Sequence, residues 1–237
     1  MTDDHATVAE EEYLQVIFWL KEAGLPMTGA NVARAMQVSA PTVHEMIGRL
    51  EKDGYITRGS DKALAFTENG RDHAEGIVRR HRLIERFLTD VFDIPWDQVH
   101  EEAERLEHWM SPTVEERMLK AIGDATTCPH GHPIFTERRE QGVPLADVAP
   151  GADLTILRFE NEAEDLLHYL MDAGLKPGLR GQLADSGDEE VSFTSGGNRY
   201  SVTRSVAETV SVTADPSPPK RVALPEHLVL AKEHWGR

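Results

Sequence analysis

Between Val8 and Gly24 the apolar residues Tyr13, Leu14, Ile17, Phe18 and Leu20 recur at helical spacing, and Gly24 suits the left-handed residue that ends a helix. Thr28 can cap a short helix through Met36. Ser39, ahead of Ala40-Pro41, can cap a second that runs to Asp53 and stops at Gly54. From Tyr55 to Phe66 the pattern shortens to two strands around Gly59-Ser60-Asp61, a hairpin-like turn. Helical periodicity resumes after Thr67 and lasts to about Thr89. A further helix is expected from Pro95 through Met110, and Ser111-Pro112 opens another to about Ile122.

The texture then changes. Residues 126–150 hold four Pro and no periodicity, which predicts a loop or linker. Beyond Asp153, short apolar runs alternate with turns. Leu154–Phe159, Gly181–Leu183, Val191–Phe193, Tyr200–Val202 and Val206–Val212 read as strands, and Glu162–Asp172 as a helix. A β-rich unit of that size suits a five-stranded barrel. Pro216–Pro219 reads as a spacer before a tail containing Leu228, Leu230 and Trp235. The expected fold class is mainly α with a β wing, divided into a winged helix–turn–helix domain (1–72), a helical domain (73–142), a small β-barrel (143–215) and a tail (216–237).

Composition adds bounds. The chain has 237 residues, 40% hydrophobic and 28% charged, as expected for a globular protein. The single Cys128 excludes an internal disulfide framework and fits a reducing cytoplasm. The acidic start MTDDHATVAEEE does not read as a signal peptide, and no apolar run approaches the ~20 residues needed to span a bilayer. A cytoplasmic protein without a membrane partner is expected. Lys and Arg number 25 against 41 Asp and Glu, a net charge of −16. That excess argues at first against nucleic acid, whose binding relies on cationic side chains.

Local pattern answers that objection. Two short helices separated by Gln37-Val38 and followed by a β-ribbon make a winged helix–turn–helix pattern, although a three-helix bundle with no DNA role has the same spacing. In the major groove, Ser39 and Thr42 can bond phosphates or base edges, and Pro41 can touch a thymine methyl. His44 can donate to phosphate or simply face solvent. Arg49, Lys52, Arg58 and Lys62 can hold phosphates from the helix end and wing.

A second constellation follows. His81 and Glu85 are four apart, and His100, Glu104, Glu107 and His108 fall at i, i+4, i+7 and i+8, one face of one helix. Such a face can chelate a divalent cation, and Glu12 could complete the set; a solvated acidic face with incidental histidines is the alternative. Cys128-Pro-His130-Gly-His132 is similar to a metal loop, but no fourth ligand of familiar spacing accompanies it. The stripe Ile84, Phe87, Leu88 and Val91, and the group Trp96, Leu106, Trp109 and Met110, suit core or dimer packing.

Taken in order, these features resemble the diphtheria toxin repressor family of metal-dependent regulators over roughly residues 6–212. The most specific segments are RRHRLIERFL (79–88), WDQVHEEAERLEHWMS (96–111) and CPHGHPI (128–134). The resemblance implies a DNA-reading N-terminal domain, central helices that bind metal and form a homodimer, and a C-terminal SH3-like domain. Metal would order the first helix and set the spacing of two DNA-reading units on a palindromic operator. One implied site uses Glu12, Glu104, Glu107 and His108; another uses His81, Glu85 and His100, with His81 able to join the first group in manganese-type members. CPHGHP becomes a structured interdomain turn. The SH3-like domain can supply a carboxylate from Glu160, Glu162 or Glu164, with Glu162 the choice.

Iron-sensing members typically have Met where this chain has Glu12 and Cys where it has Glu104, so the resemblance is to the manganese-sensing branch. Hard carboxylate and imidazole ligands suit Mn²⁺. Gln15 stands where manganese-type members can carry an acid, and Glu45 replaces a usual Gln of the DNA-reading helix, where it can accept from cytosine N4. The expectation is a Mn²⁺-responsive repressor of metal-ion homeostasis genes. Fe²⁺ is the alternative effector, and Zn²⁺, Co²⁺ and Cd²⁺ are surrogates in vitro. A Mn-dependent hydrolase and a metal-blind winged-helix regulator are the competing classes. The sequence shows no Gly-rich phosphate loop and no Ser–His–acid set to support the former.

Overall fold

Thr7 begins the first helix, α1 (Val8–Glu22), by a reciprocal capping box: the Glu10 N–H donates to the Thr7 hydroxyl, and the Glu10 carboxylate accepts from the Thr7 N–H at 2.7 Å. The computed structural model describes residues 6–214, so the expected spacer and tail, with Leu228, Leu230 and Trp235, lie outside the described residues. Thr28 and Ser39 cap α2 (Gly29–Met36) and α3 (Ala40–Lys52) through their hydroxyls. Between those helices Gln37 takes a left-handed backbone, φ 54°, which makes the turn tight. Val43, Ile47 and Leu50 of α3 face inward and join Leu14, Ile17 and Phe18 of α1 in one core. The wing is an antiparallel pair, β1 (Ile56–Arg58) and β2 (Leu64–Phe66).

The long helix α4 (Glu68–Phe92) is shared between units. Its first half contributes Ala74, Ile77 and Val78 to the N-terminal core. Its second half packs Leu83, Ile84 and Leu88 against α5 (Val99–Leu106), α6 (Pro112–Ala121) and the segment beyond. Gly70 makes the close approach possible, because a Cβ there would lie 1.8 Å from the Tyr55 carbonyl oxygen.

The expected continuous helix from Pro95 through Met110 is not observed. Residues 95–98 form a turn, α5 occupies Val99–Leu106, and Glu107–Trp109 tighten into a 3₁₀ turn. This matters because the stripe His100, Glu104, Glu107, His108 no longer shares one α-helical face.

The C-terminal unit holds β3 (Val143–Pro144), β4 (Asp153–Phe159), α7 (Glu164–Asp172), β5 (Arg180–Ser186), β6 (Glu190–Ser195), β7 (Asn198–Thr203), α8 (Arg204–Ala207) and β8 (Val210–Ala214). Its sheet is antiparallel in the order β3-β8-β4-β5-β6-β7, six strands where five were expected; the extra one comes from the segment read as linker. The expected strand Val206–Val212 also begins later, because the Thr203 hydroxyl caps a one-turn helix first. Bulges near Ile156 and Leu183 bend the sheet over Leu154, Ile156, Phe159, Leu183 and Phe193. Among the described residues, no helix is long and apolar enough to cross a membrane.

Candidate metal centre

Helix α4 projects His81 and Glu85 into the interior one turn apart, both essentially without solvent contact. His81 Nε2 lies 3.0 Å from Glu85 Oε1, and its Nδ1 lies 2.6 Å from Glu107 Oε2 of the 3₁₀ turn. Gln15 of α1 donates to the same Glu107 oxygen at 3.1 Å. Beside it, His108 Nδ1 is 2.7 Å from the Glu11 carboxylate, which also accepts from Arg80 at 3.0 Å. His100 of α5 comes to the same Glu85 oxygen as His81, with its Nδ1 3.2 Å from His81 Nε2. Its Nδ1 is 3.2 Å from Glu85 Oε1 and 3.1 Å from Glu162 Oε2, and its Nε2 is 3.7 Å from Glu104. Trp19 of α1 closes over both imidazoles, its ring centroid 5.6 Å from that of His81 and 6.0 Å from that of His100.

The loop Cys128–His132 reaches the same carboxylates. Gly131, at φ 95°, seats it on β4: a Cβ there would be 2.0 Å from the Leu157 carbonyl oxygen, so only glycine permits the contact. The Phe159 N–H donates to the His130 carbonyl at 3.0 Å, fixing the loop to the strand end. His130 Nε2 donates to the Trp96 carbonyl at 2.7 Å, which turns Nδ1 inward, 3.2 Å from Glu85 and 3.6 Å from Glu162. Among the described residues, two overlapping groups bring their ligand atoms within 4.8 Å of one another: His81, Glu85, His100 and Glu162, and Glu85, Cys128, His130 and Glu162.

Electrostatics describe what the site asks for. Burial alone would make His81 less basic, but Glu85 and Glu107 outweigh it and hold its pKa well above the imidazole range. For His100, hydrogen bonds to Glu162 and Glu85 overcome burial and give about 9. His130 is likewise held high, against burial, by Glu85 and Glu162. Burial would raise the carboxyls, yet His130 and His81 hold Glu85 well below its usual range. Glu162 is raised by burial and by Glu85, and is brought down to about 2 by His130, His100 and His132. Burial and Glu85 push up the Cys128 thiol. Protons on the imidazoles therefore hold the place a cation would take. Glu85 Oε2 fits that reading, being buried with no hydrogen-bond partner among the described residues. The donor set of carboxylate, imidazole and thiol matches what a transition-metal dication takes.

The structure thus gathers His81, Glu85, His100 and Glu162. Glu12, Glu104, Glu107 and His108 are placed around that group rather than in one cluster of their own: Glu107 meets His81, Glu104 meets His100, His108 meets Glu11, and Glu12 is buried on α1. The split follows from the 3₁₀ turn. Of the C-terminal acids, Glu162 precedes α7 and turns inward, Glu160 pairs with Arg139 and Arg158, and Glu164 is exposed. Sequence reasoning missed Glu11, one residue from Glu12 on a helix whose packed face only tertiary contacts reveal. It also gave CPHGHP no fourth ligand; Glu85 and Glu162 now stand beside Cys128 and His130.

On the candidate DNA face, Ser39, Pro41, Thr42, His44 and Glu45 are all exposed on the side of α3 opposite its core residues. The Ser39 and Thr42 hydroxyls lie 2.8 Å apart. Arg49 Nε contacts Glu10 at 2.9 Å and Arg58 contacts Glu51 at 2.6 Å, so both cations are already ion-paired. Lys52 and Lys62 are exposed, Lys62 at the wing tip.

Three family models match the chain: an iron-dependent repressor N-terminal DNA-binding domain over residues 5–64, an iron-dependent repressor metal-binding and dimerisation domain over 67–136, and a FeoA domain over 143–214. The iron-dependent repressor IdeR of Mycobacterium tuberculosis is 38% identical over 186 residues, covering 72% of this chain and 81% of its own length. The diphtheria toxin repressor of Corynebacterium diphtheriae is 32% identical over 217 residues, covering 85% and 95%. Among solved structures, a manganese-dependent transcriptional repressor in complex with manganese superposes with a TM-score of 0.79 at 27% identity, covering 86% of this chain and 99% of that one. The manganese regulator SloR gives 0.72 at 29% identity, covering 87% and 98%.

Proposed function

The chain belongs to the diphtheria toxin repressor family and is a metal-dependent DNA-binding transcriptional repressor; from that premise we propose that Mn²⁺ is its effector and that it acts in the cytoplasm, as a homodimer on a palindromic operator, to control metal-ion homeostasis genes. One observation carries the reading: Glu85 of α4, Cys128 and His130 of the loop and Glu162 of the C-terminal unit meet at a single buried point, with His81 and His100 against it. These residues would hold a dication, and Glu104 and Glu107, which meet His100 and His81, stand beside it. Bound there, the metal supplies positive charge that replaces imidazole protons, with no bond made or broken in any substrate.

The chain's own residues convert that charge into DNA affinity. Helix α1 meets the site through Glu11 and Gln15, and near the same end Glu10 holds Arg49 of α3. Ordering α1 at the site therefore orders the DNA-facing helix as well. Exposed Val91, Phe92, Leu106, Trp109 and Val114 cluster in α4, α5, α6 and the 3₁₀ turn, which supports a self-association surface.

Carboxylates at 12 and 104 favour Mn²⁺, while the iron-dependent names of the relatives favour Fe²⁺ as a second reading. A hydrolase would need room for substrate. The cavity beside His100, His132 and Glu162 has a volume of about 50 Å³.

The test uses a duplex selected from a randomised pool by the Mn²⁺-loaded protein. Gel retardation is expected with Mn²⁺, and is lost in chelator and in the double variant Glu104→Ala, Glu107→Ala. Retardation that persists in chelator, or survives both substitutions, sinks the mechanism.

A further inference from the structure

The second histidine of the Cys128–His132 loop has its two nitrogens engaged away from the ligand cluster's centre. His132 Nε2 donates to the Phe159 carbonyl at 2.7 Å and lies 3.2 Å from Glu162 Oε1, while its Nδ1 accepts from the Arg139 guanidinium at 3.0 Å. An imidazole that donates at one nitrogen and accepts at the other has no lone pair left for a metal. Its contact with Glu162 instead orients a carboxylate that belongs to both ligand groups.

Arg139 carries the connection onward. Its Nη2 donates to Glu160 at 2.6 Å, and its Nη1 lies 3.7 Å from Glu22 Oε2. Glu22 is the last residue of α1, and its nearly buried carboxylate also receives both terminal nitrogens of Arg82 from α4. Arg82 donates in addition to the Pro133 carbonyl at 3.0 Å, on the far side of the loop. Planar guanidiniums held at two or three points make a stiff network. The contacts therefore run without a gap from Glu162 through His132 and Arg139 to the C-terminal end of α1. The other end of that helix meets His108 through Glu11 and Arg49 through Glu10.

We propose that His132, Arg139 and Glu22 are positioning residues that couple cation binding at Glu162 to the placement of α1 and so to operator affinity. The proposal rests on the metal-dependent repressor reading above. It treats the C-terminal unit as a participant in signalling, through side chains that need not touch the metal.

Linkage supplies the readout. The factor by which Mn²⁺ raises affinity for the duplex must equal the factor by which the duplex raises affinity for Mn²⁺. Fluorescence anisotropy of the duplex selected by the wild-type protein, at saturating Mn²⁺ and in chelator, measures that factor in the full chain. Electron paramagnetic resonance of free Mn²⁺ gives the number of ions bound. Arg139→Gln and Glu22→Gln are each expected to lower the factor by about fivefold or more, with the number of ions bound at saturation unchanged. The double variant should lose no more than the worse single one, because both cut one connection. His132→Gln, whose amide can still donate and accept, should retain more coupling than His132→Ala.

Glu22→Gln strips Arg82 of its carboxylate; if that chain fails to fold, Arg139→Gln and the His132 pair carry the test. A wild-type protein that responds to Mn²⁺, with an unaltered factor in the variants, overturns the relay alone. Additive losses in the double variant overturn it too, since the residues would then act independently. A wild-type protein with no metal response overturns both the relay and the reading beneath it.

Discussion

Glu85→Gln keeps the volume of a fully buried side chain and removes one charge, at the point where the two ligand groups overlap. Three imidazole nitrogens stand close to its Oε1: His81 Nε2 at 3.0 Å, His100 Nδ1 at 3.2 Å and His130 Nδ1 at 3.2 Å. Unit charges ~3 Å apart attract by about 5 kcal/mol at an effective dielectric of ~20. Desolvation offsets part of this, and removing one partner of a buried pair costs about 3–5 kcal/mol. A dication in place of the imidazole protons loses at least as much. At ~1.4 kcal/mol per power of ten, Mn²⁺ affinity should fall by about a hundredfold or more. Isothermal titration of metal-free protein at fixed salt and neutral pH measures it. Glu116→Gln, an exposed carboxylate 2.5 Å from Lys120, is the control and should change nothing. If Glu85→Gln binds Mn²⁺ with unchanged stoichiometry and within about threefold of wild type, the assignment of Glu85 as a ligand is refuted.

Three further expectations follow from the same geometry. His100, raised to about 9 in the metal-free fold against an ordinary value near ~6.5, contributes stability that is complete below the lower value and is lost as pH rises through the higher one. Glu162, held down at about 2, contributes above the usual carboxylate range, and that contribution disappears as pH falls toward its folded value. Scanning calorimetry should therefore show the metal-free protein weakening between about pH 6.5 and 9 while stabilisation by added Mn²⁺ grows; a flat profile for both would contradict the proton-for-metal exchange. Cys128→Ser removes the one soft donor of the loop group, so competition titrations should show Cd²⁺ and Zn²⁺ losing about tenfold more affinity than Mn²⁺; equal losses would remove the thiol from the site. Trp109→Asp alters a residue that is 81% exposed, and sedimentation should show self-association weakened; an unaltered dimer would place the interface elsewhere.

Local signals carried much of the architecture. Thr28, Ser39, Thr67 and Ser111 each cap the helix their position announces, because an N-cap acts within three residues. In α3, Val43, Ile47 and Leu50 face the core, so Ser39, Pro41, Thr42, His44 and Glu45 remain outside. The departures have non-local causes. Glu107 leaves the α-helical path to reach His81 and Gln15, partners remote in sequence. Val143–Pro144 becomes a strand only because β8 returns beside it. Cys128 and His130 displayed donor atoms in the sequence, but their companions Glu85 and Glu162 come from α4 and from the end of β4, and no spacing rule joins those positions. The charge of −16 is similarly clarified. Glu85, Glu107 and Glu162 are turned inward and face imidazoles, while α3 presents a mixed polar surface with Ser39, Thr42 and His44 exposed.

The most direct measurement is anisotropy of the selected duplex at fixed salt while free Mn²⁺, Fe²⁺ or Zn²⁺ is raised in a metal buffer. Operator binding should appear with Mn²⁺, reverse fully on chelation, and require Glu85 and Glu107. Equal affinity with and without metal would contradict metal-licensed repression, and a response to Fe²⁺ with none to Mn²⁺ would transfer the effector role from manganese to iron.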